Sequence, residues 1–140
     1  LLEQATIETA DGAQVDILPA DVYFKSMAQA ILVSDETIQK NPQLVQKLVR
    51  ATLKGMKDIM ANPKEAAAAY ANHVTVHKGK EASIEQMFGM YNKYVYLNQK
   101  VPGTMDETRL SDLQKFYVAN GVVPTAVPLK DLYTNQFVGK

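Results

Sequence analysis

The dipeptide Asn-Pro stands twice in the chain, at Asn41-Pro42 and Asn62-Pro63, and between the two lies an uninterrupted run of helix-forming residues. Proline has no backbone N–H and clashes with the preceding turn, so a helix cannot run through Pro63 without losing a hydrogen bond. At the first position of a helix the missing donor costs nothing, and an asparagine just before it caps exposed N–H groups with its side-chain oxygen. Each Asn-Pro therefore starts a helix, and the second also ends the helix that the first began. Between them Leu44, Val45, Leu48, Val49, Thr52, Met56, Ile59 and Met60 make one apolar stripe, with Gln43, Lys47, Lys54, Lys57 and Asp58 mostly elsewhere.

The same reading extends along the chain. After Pro63 the run KEAAAAYANH is short and alanine-rich, suited to packing close against a neighbour. A further helix is expected over residues 81–99, with Ile84, Met87, Phe88, Tyr91, Tyr94 and Val95 at helical spacing, ending before Pro102. Thr104 with Glu107 three residues on reads as a capping box, Leu110, Leu113, Phe116 and Tyr117 as the apolar face that follows, and Asn120-Gly121 as a left-handed stop. The tail reads as an irregular wrap and a short helix over residues 129–137. Towards the start, a short helix over residues 1–10 gives way at Asp11-Gly12 to strands at residues 15–18 and 29–34, where apolar and β-branched residues dominate. A helical repeat would need similar residues at a fixed period, and Ala51 and Gly55 have no counterparts after Pro63, so the paired Asn-Pro is punctuation rather than repetition.

Composition narrows the function. At 140 residues the chain suits one domain with a usable core. Fifteen basic residues balance fifteen acidic ones, leaving no positive field to hold phosphates, so no nucleic acid partner is expected. No run approaches the roughly 18 apolar residues that span a bilayer. Cysteine is absent, which removes disulfides, thiolate zinc sites and thiol nucleophiles together and leaves the compartment open. The opening Leu1-Leu2-Glu3-Gln4 has neither an initiator Met nor a signal-peptide pattern, so an upstream segment is expected to precede it.

Ser34, Ile38, Pro42, Val45, Ala51, Gly55, Asn62, Pro63 and Ala66 to Ala69 form a pattern in which a strand ends in Ser, a short helix leads to Pro, a helix "P-x-x-V … A-x-x-x-G" follows, and Asn-Pro opens an alanine-rich helix. This resembles the C-terminal part of the substrate-binding proteins of bacterial ABC importers, in the branch that handles nitrate, alkanesulfonates, taurine and thiamine-pyrimidine precursors. The tail ANGVVPTAVPLKDLYTNQFV is similar to the end of that family, with its "D-L-Y-x-N-x-F". The resemblance covers at least residues 12–138. It implies an α/β fold rich in helix, the C-terminal part of a two-lobed periplasmic binding protein fold, with helices packed on a small sheet remnant. Residues 1–33 would hold the sheet-containing part and the inter-lobe crossover, and residues 34–140 the helical part of one lobe. It places Tyr23, Phe24 and Ser26 nearest the ligand cleft, since residues 21–34 would cross between lobes and aromatics and hydroxyls line pockets. It further implies a small anionic or heterocyclic solute, a membrane permease as partner, a periplasmic or lipid-anchored extracytoplasmic location, and a homodimer if strand edges are left unpaired.

Other constellations have plainer readings. His73 and His77 have the i, i+4 spacing of two metal ligands, but Val74, Thr75 and Val76 are poor helix formers and no third ligand sits nearby, so no metal is expected. Tyr91 and Tyr94 fall on an apolar stripe, with Tyr96 beside them, and read as core with hydroxyls at the rim; Met56, Met60, Met87 and Met90 read as core filler. Lys64, Lys78 and Lys80 read as a solvated basic spot, and Asp106 and Glu107 as carboxylates at a helix start. No phosphate loop, nucleophile elbow or ligand cluster is visible, so no catalytic residue and no cofactor is expected. A self-contained helical protein-interaction module is the alternative. An enzyme on the same scaffold, such as the pyrimidine synthases with their His- and Cys-rich motif, is a third reading that the absence of Cys disfavours.

Overall fold

Both Asn-Pro pairs start helices, and the second ends one. The computed structural model describes residues 12, 14, 16, 18, 22–24, 26, 27, 29–96 and 99–139. Ser34 caps α1 (Asp35–Lys40), its Oγ accepting from Thr37 N–H at 3.2 Å. Asn41 opens α2 (Pro42–Ala61), where Leu44 N–H is shared between Asn41 Oδ1 at 3.2 Å and Asn41 O at 3.1 Å. Asn62 opens α3 (Pro63–His73): Glu65 N–H donates to Asn62 Oδ1 at 3.3 Å, and Asn62 Nδ2 donates back to Glu65 Oε2 at 3.1 Å. A 3-10 turn (Thr75–His77) then leads to α4 (Glu81–Tyr91). Later come α5 (Glu107–Ala119) and the single turn α6 (Leu129–Leu132).

Four expectations need correction. Among the described residues there is no strand: residues 29–34 are irregular, because a strand exists only with a ladder partner and the backbone bond described for this segment, Ile38 N–H to Ser34 O at 3.1 Å, belongs to the start of α1. The helix from Glu81 stops at Tyr91 and continues as a π-helical turn (Asn92–Tyr96). The cap of α5 is Asp106, not Thr104: its carboxylate accepts from Arg109 N–H at 3.0 Å and also complements the helix dipole. The helix at the tail is one turn long, since Tyr133 is extended and the side chains after it turn to other partners, Thr134 Oγ1 to Gln136 N–H and Asn135 to Met105. The helix expected over residues 1–10 lies outside the described residues, as does half of the strand expected over residues 15–18.

The chain divides into two compact units, one built on Ala51–Pro102 and the other on Leu18–Arg50 with Gly103–Lys140. In the first, α3 lies against α4. Ala67 and Ala71 are fully buried against Ile84 and Phe88, with Ile59, Ala66 and Met87 packed around them. The alanines allow the close approach, and burial of Ile84 and Phe88 contributes about 1.5–3 kcal/mol each. Pro63 leaves the carbonyl of Ile59 without the i+4 N–H that an unbroken helix would provide, although Asn62 N–H still reaches Asp58 O at 3.0 Å. Asn92 supplies the substitute: its Nδ2 donates to Ile59 O at 3.2 Å and lies 3.4 Å from Met60 O. The π-helical turn starts at this residue. Asn92 Oδ1 is buried and accepts no hydrogen bond among the described residues, a cost that offsets part of the gain.

Among the described residues of the second unit apolar burial is small. Val45 is buried, while Leu44 and Leu48 on the same stripe stay about half exposed. Side-chain amides clamped onto backbone groups hold it instead. Gln114 pairs with both backbone groups of Val127, Oε1 accepting from its N–H at 2.8 Å and Nε2 donating to its carbonyl at 3.0 Å. Gln46 Nε2 donates to Phe137 O at 3.2 Å. Helix α5 ends in a Schellman motif on Gly121 (φ 68°), with Val122 N–H on Tyr117 O at 2.8 Å and Gly121 N–H on Val118 O at 3.1 Å.

Replacing Asn92 by Ala is expected to cost about 1 kcal/mol in urea unfolding. In a Pro63→Ala background the cost should shrink, because an alanine at that position restores an N–H for the Ile59 carbonyl. Equal costs in the two backgrounds would show that Asn92 does not stand in for the missing donor.

Candidate functional site

The aromatic pair singled out in the sequence is anchored on α5. The Phe24 ring packs on Phe116 with centroids 4.6 Å apart and planes tilted by 34°, a contact in the range favourable for aromatic pairs. Ser26 N–H donates to Phe24 O at 3.0 Å, just after the pair. Phe24 is half-buried, while Tyr23 is 85% exposed. Together they line one side of an open depression of about 450 Å³ whose other lining residues are Asp106, Thr108, Arg109 and Asp112. That volume falls within the usual range for small-molecule pockets. Ser26 is exposed and is not among the lining residues.

The α5 residues arrive there through capping and clamping. Asp106, Arg109 and Asp112 recur every three residues, which sets them on one face of the helix start. The backbone just before this turn is fixed by Asn135, whose Oδ1 accepts from Met105 N–H at 2.8 Å and whose Nδ2 donates to Met105 O at 3.2 Å. One amide thus copies a β-bridge and sets where α5 begins.

The lining mixes charges. Asp112 Oδ1 takes a hydrogen bond from Lys115 Nζ at 3.2 Å, an exposed pair that leaves Oδ2 available. Among the described residues no ion pair involves the half-buried Arg109. The depression therefore offers an aromatic ledge, a hydroxyl, a guanidinium and two carboxylates. Sequence reading reached Tyr23 and Phe24 but passed over Thr108, Arg109 and Asp112, and treated Asp106 only as a helix-start charge. The available signal was the three-residue spacing of charges after the cap.

Tyr94, expected on the core stripe of its helix, is 40% exposed with Lys93 Nζ 4.8 Å from its ring centroid, because it lies in the π-helical turn, off the α-helical spacing. His73 Nδ1 donates to Ala69 O at 2.9 Å at the end of α3, and His77 packs on the Tyr70 ring, centroids 5.4 Å apart. No described group of three or more His, Cys, Asp or Glu is placed to share a metal. Tyr91 and Tyr96 pack at 5.8 Å, where burial and then the neighbouring Tyr91 raise the Tyr96 hydroxyl above the usual tyrosine pKa. Gly79 N–H donates to the exposed Glu81 carboxylate at 3.0 Å and holds its pKa below the usual range. No helix among the described residues is long and apolar enough to cross a membrane.

Comparison with known proteins adds to this geometry. The family model described as NMT1/THI5 like matches residues 2–66, a stretch that contains Tyr23, Phe24 and both Asn-Pro pairs. The chain is 29% identical over 131 residues to the riboflavin-binding protein RibY of Chloroflexus aurantiacus, an alignment covering 91% of this chain and 37% of that protein. The chain thus spans little more than a third of the length of the curated relative it matches. No solved structure matches. The two matches support the resemblance to this branch of substrate-binding proteins read from the sequence.

Asn135→Ala removes both clamps on Met105 and is expected to lower unfolding stability by about 1–3 kcal/mol, two net hydrogen bonds. Asn135→Asp should cost at least as much, because it loses the donor and sets a carboxylate against the Met105 carbonyl. An unchanged urea midpoint in both variants would contradict the clamp.

Proposed function

We propose that this chain forms part of the solute-binding component of an ABC import system, which captures a small heterocyclic solute and hands it to a membrane permease. The observation that carries the reading is the ledge of Tyr23 and Phe24 beside Arg109, Thr108 and the two aspartates, since flat rings stack on exposed aromatics while polar groups fix their orientation. The name of the relative, a riboflavin-binding protein, supports a flavin-type heterocycle over nitrate or a sulfonate. It also favours binding over catalysis.

In this reading the depression is one wall of a cleft whose opposite wall comes from the rest of a two-lobed protein. Ligand contacts made from both sides exist only in the closed state, so solute binding shifts the population towards closure. The protein works outside the cytoplasm, free in the periplasm or held by a lipid anchor, where the permease meets the closed form.

Titration calorimetry of the full-length protein with riboflavin, a thiamine-pyrimidine precursor, taurine and nitrate tests the reading. The expected result is one-to-one binding of a heterocycle and none of the two oxyanions. Tyr23→Ala should weaken that binding about tenfold, the loss of one stacking contact of about 1.4 kcal/mol. Absence of binding to every solute in the panel would overturn the proposal.

A further inference from the structure

The polar lining of the depression narrows the solute further than its aromatic ledge does. Arg109 and Asp112 stand one helical turn apart on α5, where Cβ atoms lie about 5–6 Å from each other and side chains reach neighbouring atoms of one ligand edge. Arg109 presents N–H donors only, and no described carboxylate pairs with it. Asp112 presents acceptors only, with Oδ2 left over by Lys115. Asp106 Oδ1 caps the helix by accepting from Arg109 N–H, which ties this carboxylate to the helix start, whereas Asp112 lies a turn further on with its backbone role free.

A donor next to an acceptor fits an edge that alternates the other way. An oxyanion offers acceptors alone: it would satisfy Arg109 but set its charge against Asp106 and Asp112. A solute with only N–H donors would satisfy Asp112 and leave Arg109 unmatched. An imide edge, in which an N–H is flanked by carbonyls, satisfies both residues at once and belongs to a flat ring that stacks on Tyr23 and Phe24.

We infer that the depression recognises the imide edge of an uncharged planar heterocycle, with Arg109 donating to an imide carbonyl and Asp112 accepting from the imide N–H. This assignment rests on the solute-binding reading above and specifies the chemistry of the same site. Arg109 and Asp112 are then specificity-determining residues; the carboxylates disfavour nitrate and simple alkanesulfonates, and taurine, whose ammonium could meet Asp112, lacks a flat ring for the ledge.

The test uses the full-length protein with riboflavin and N3-methylriboflavin, which keeps the ring and the carbonyls but lacks the imide N–H. Fluorescence titration should show the methylated probe binding about tenfold more weakly, as expected when a site built for an N–H meets a ligand without one. Asp112→Ala should weaken riboflavin to a similar extent and leave the methylated probe unchanged, while Arg109→Ala weakens both. Equal affinity for the two probes, or an Asp112→Ala effect that is the same for both, overturns the imide assignment. Binding of a pyrimidine precursor without riboflavin also overturns it and leaves the heterocycle-binding reading standing, whereas binding of taurine or nitrate alone removes the heterocycle from both. Binding of none of these ligands removes both.

Discussion

The carbonyl of Ile59 is the pivot of the first unit. Pro63 takes away its helical donor, and a carbonyl left without a partner in a packed region carries a desolvation cost of about 1–3 kcal/mol. The Asn92 amide answers from more than thirty residues away, and two features gather around that contact. Helix α4 must run back along α3 to bring Asn92 to the end of α2, which is the arrangement that buries Ala67 and Ala71 against Ile84 and Phe88. The chain at Asn92 also leaves α-helical geometry for a wider turn, as π-turns commonly do where a residue is placed for a specific contact.

The second unit solves a different problem. Apolar burial among its described residues is small, and its irregular segments are tied down by primary amides that pair with backbone N–H and C=O together. Gln114 on Val127 and Asn135 on Met105 each replace a pair of ladder bonds that a sheet would have given. The Met105 clamp fixes the residue just before the cap of α5, and with it the turn that carries Thr108, Arg109 and Asp112. The tail motif read as "D-L-Y-x-N-x-F" gains a physical meaning: its Asn is the clamp, and the carbonyl of its Phe receives Gln46.

Helix starts and stops were legible because they depend on residues adjacent in sequence. Asn41, Asn62 and Ser34 cap where local chemistry requires, and Gly121 ends α5 in the left-handed conformation. The Thr104 cap was misplaced because Asp106 competes for the same role with a charge that also suits the helix dipole. The π-helical turn and the one-turn α6 were not legible, since both depend on distant partners: the α2 carbonyls for Asn92 and the Met105 backbone for Asn135. The strand at residues 29–34 illustrates the same limit, because β-branched composition marks a segment that can pair but not what it pairs with. At the site, Tyr23 and Phe24 were reached through the family resemblance. Arg109 and Asp112 needed the structure, because the three-residue spacing of charges marks one helix face but not the aromatic ledge that lies beside it.

In the proposed function, solute meets the protein on this ledge and on the first turns of α5. Hydrogen–deuterium exchange of the full-length protein, read by mass spectrometry with and without riboflavin, tests it most directly. Ligand is expected to slow exchange in peptides covering residues 22–27 and 105–113, the two segments that line the depression. Slowed exchange elsewhere, with both of these peptides unchanged, would contradict it.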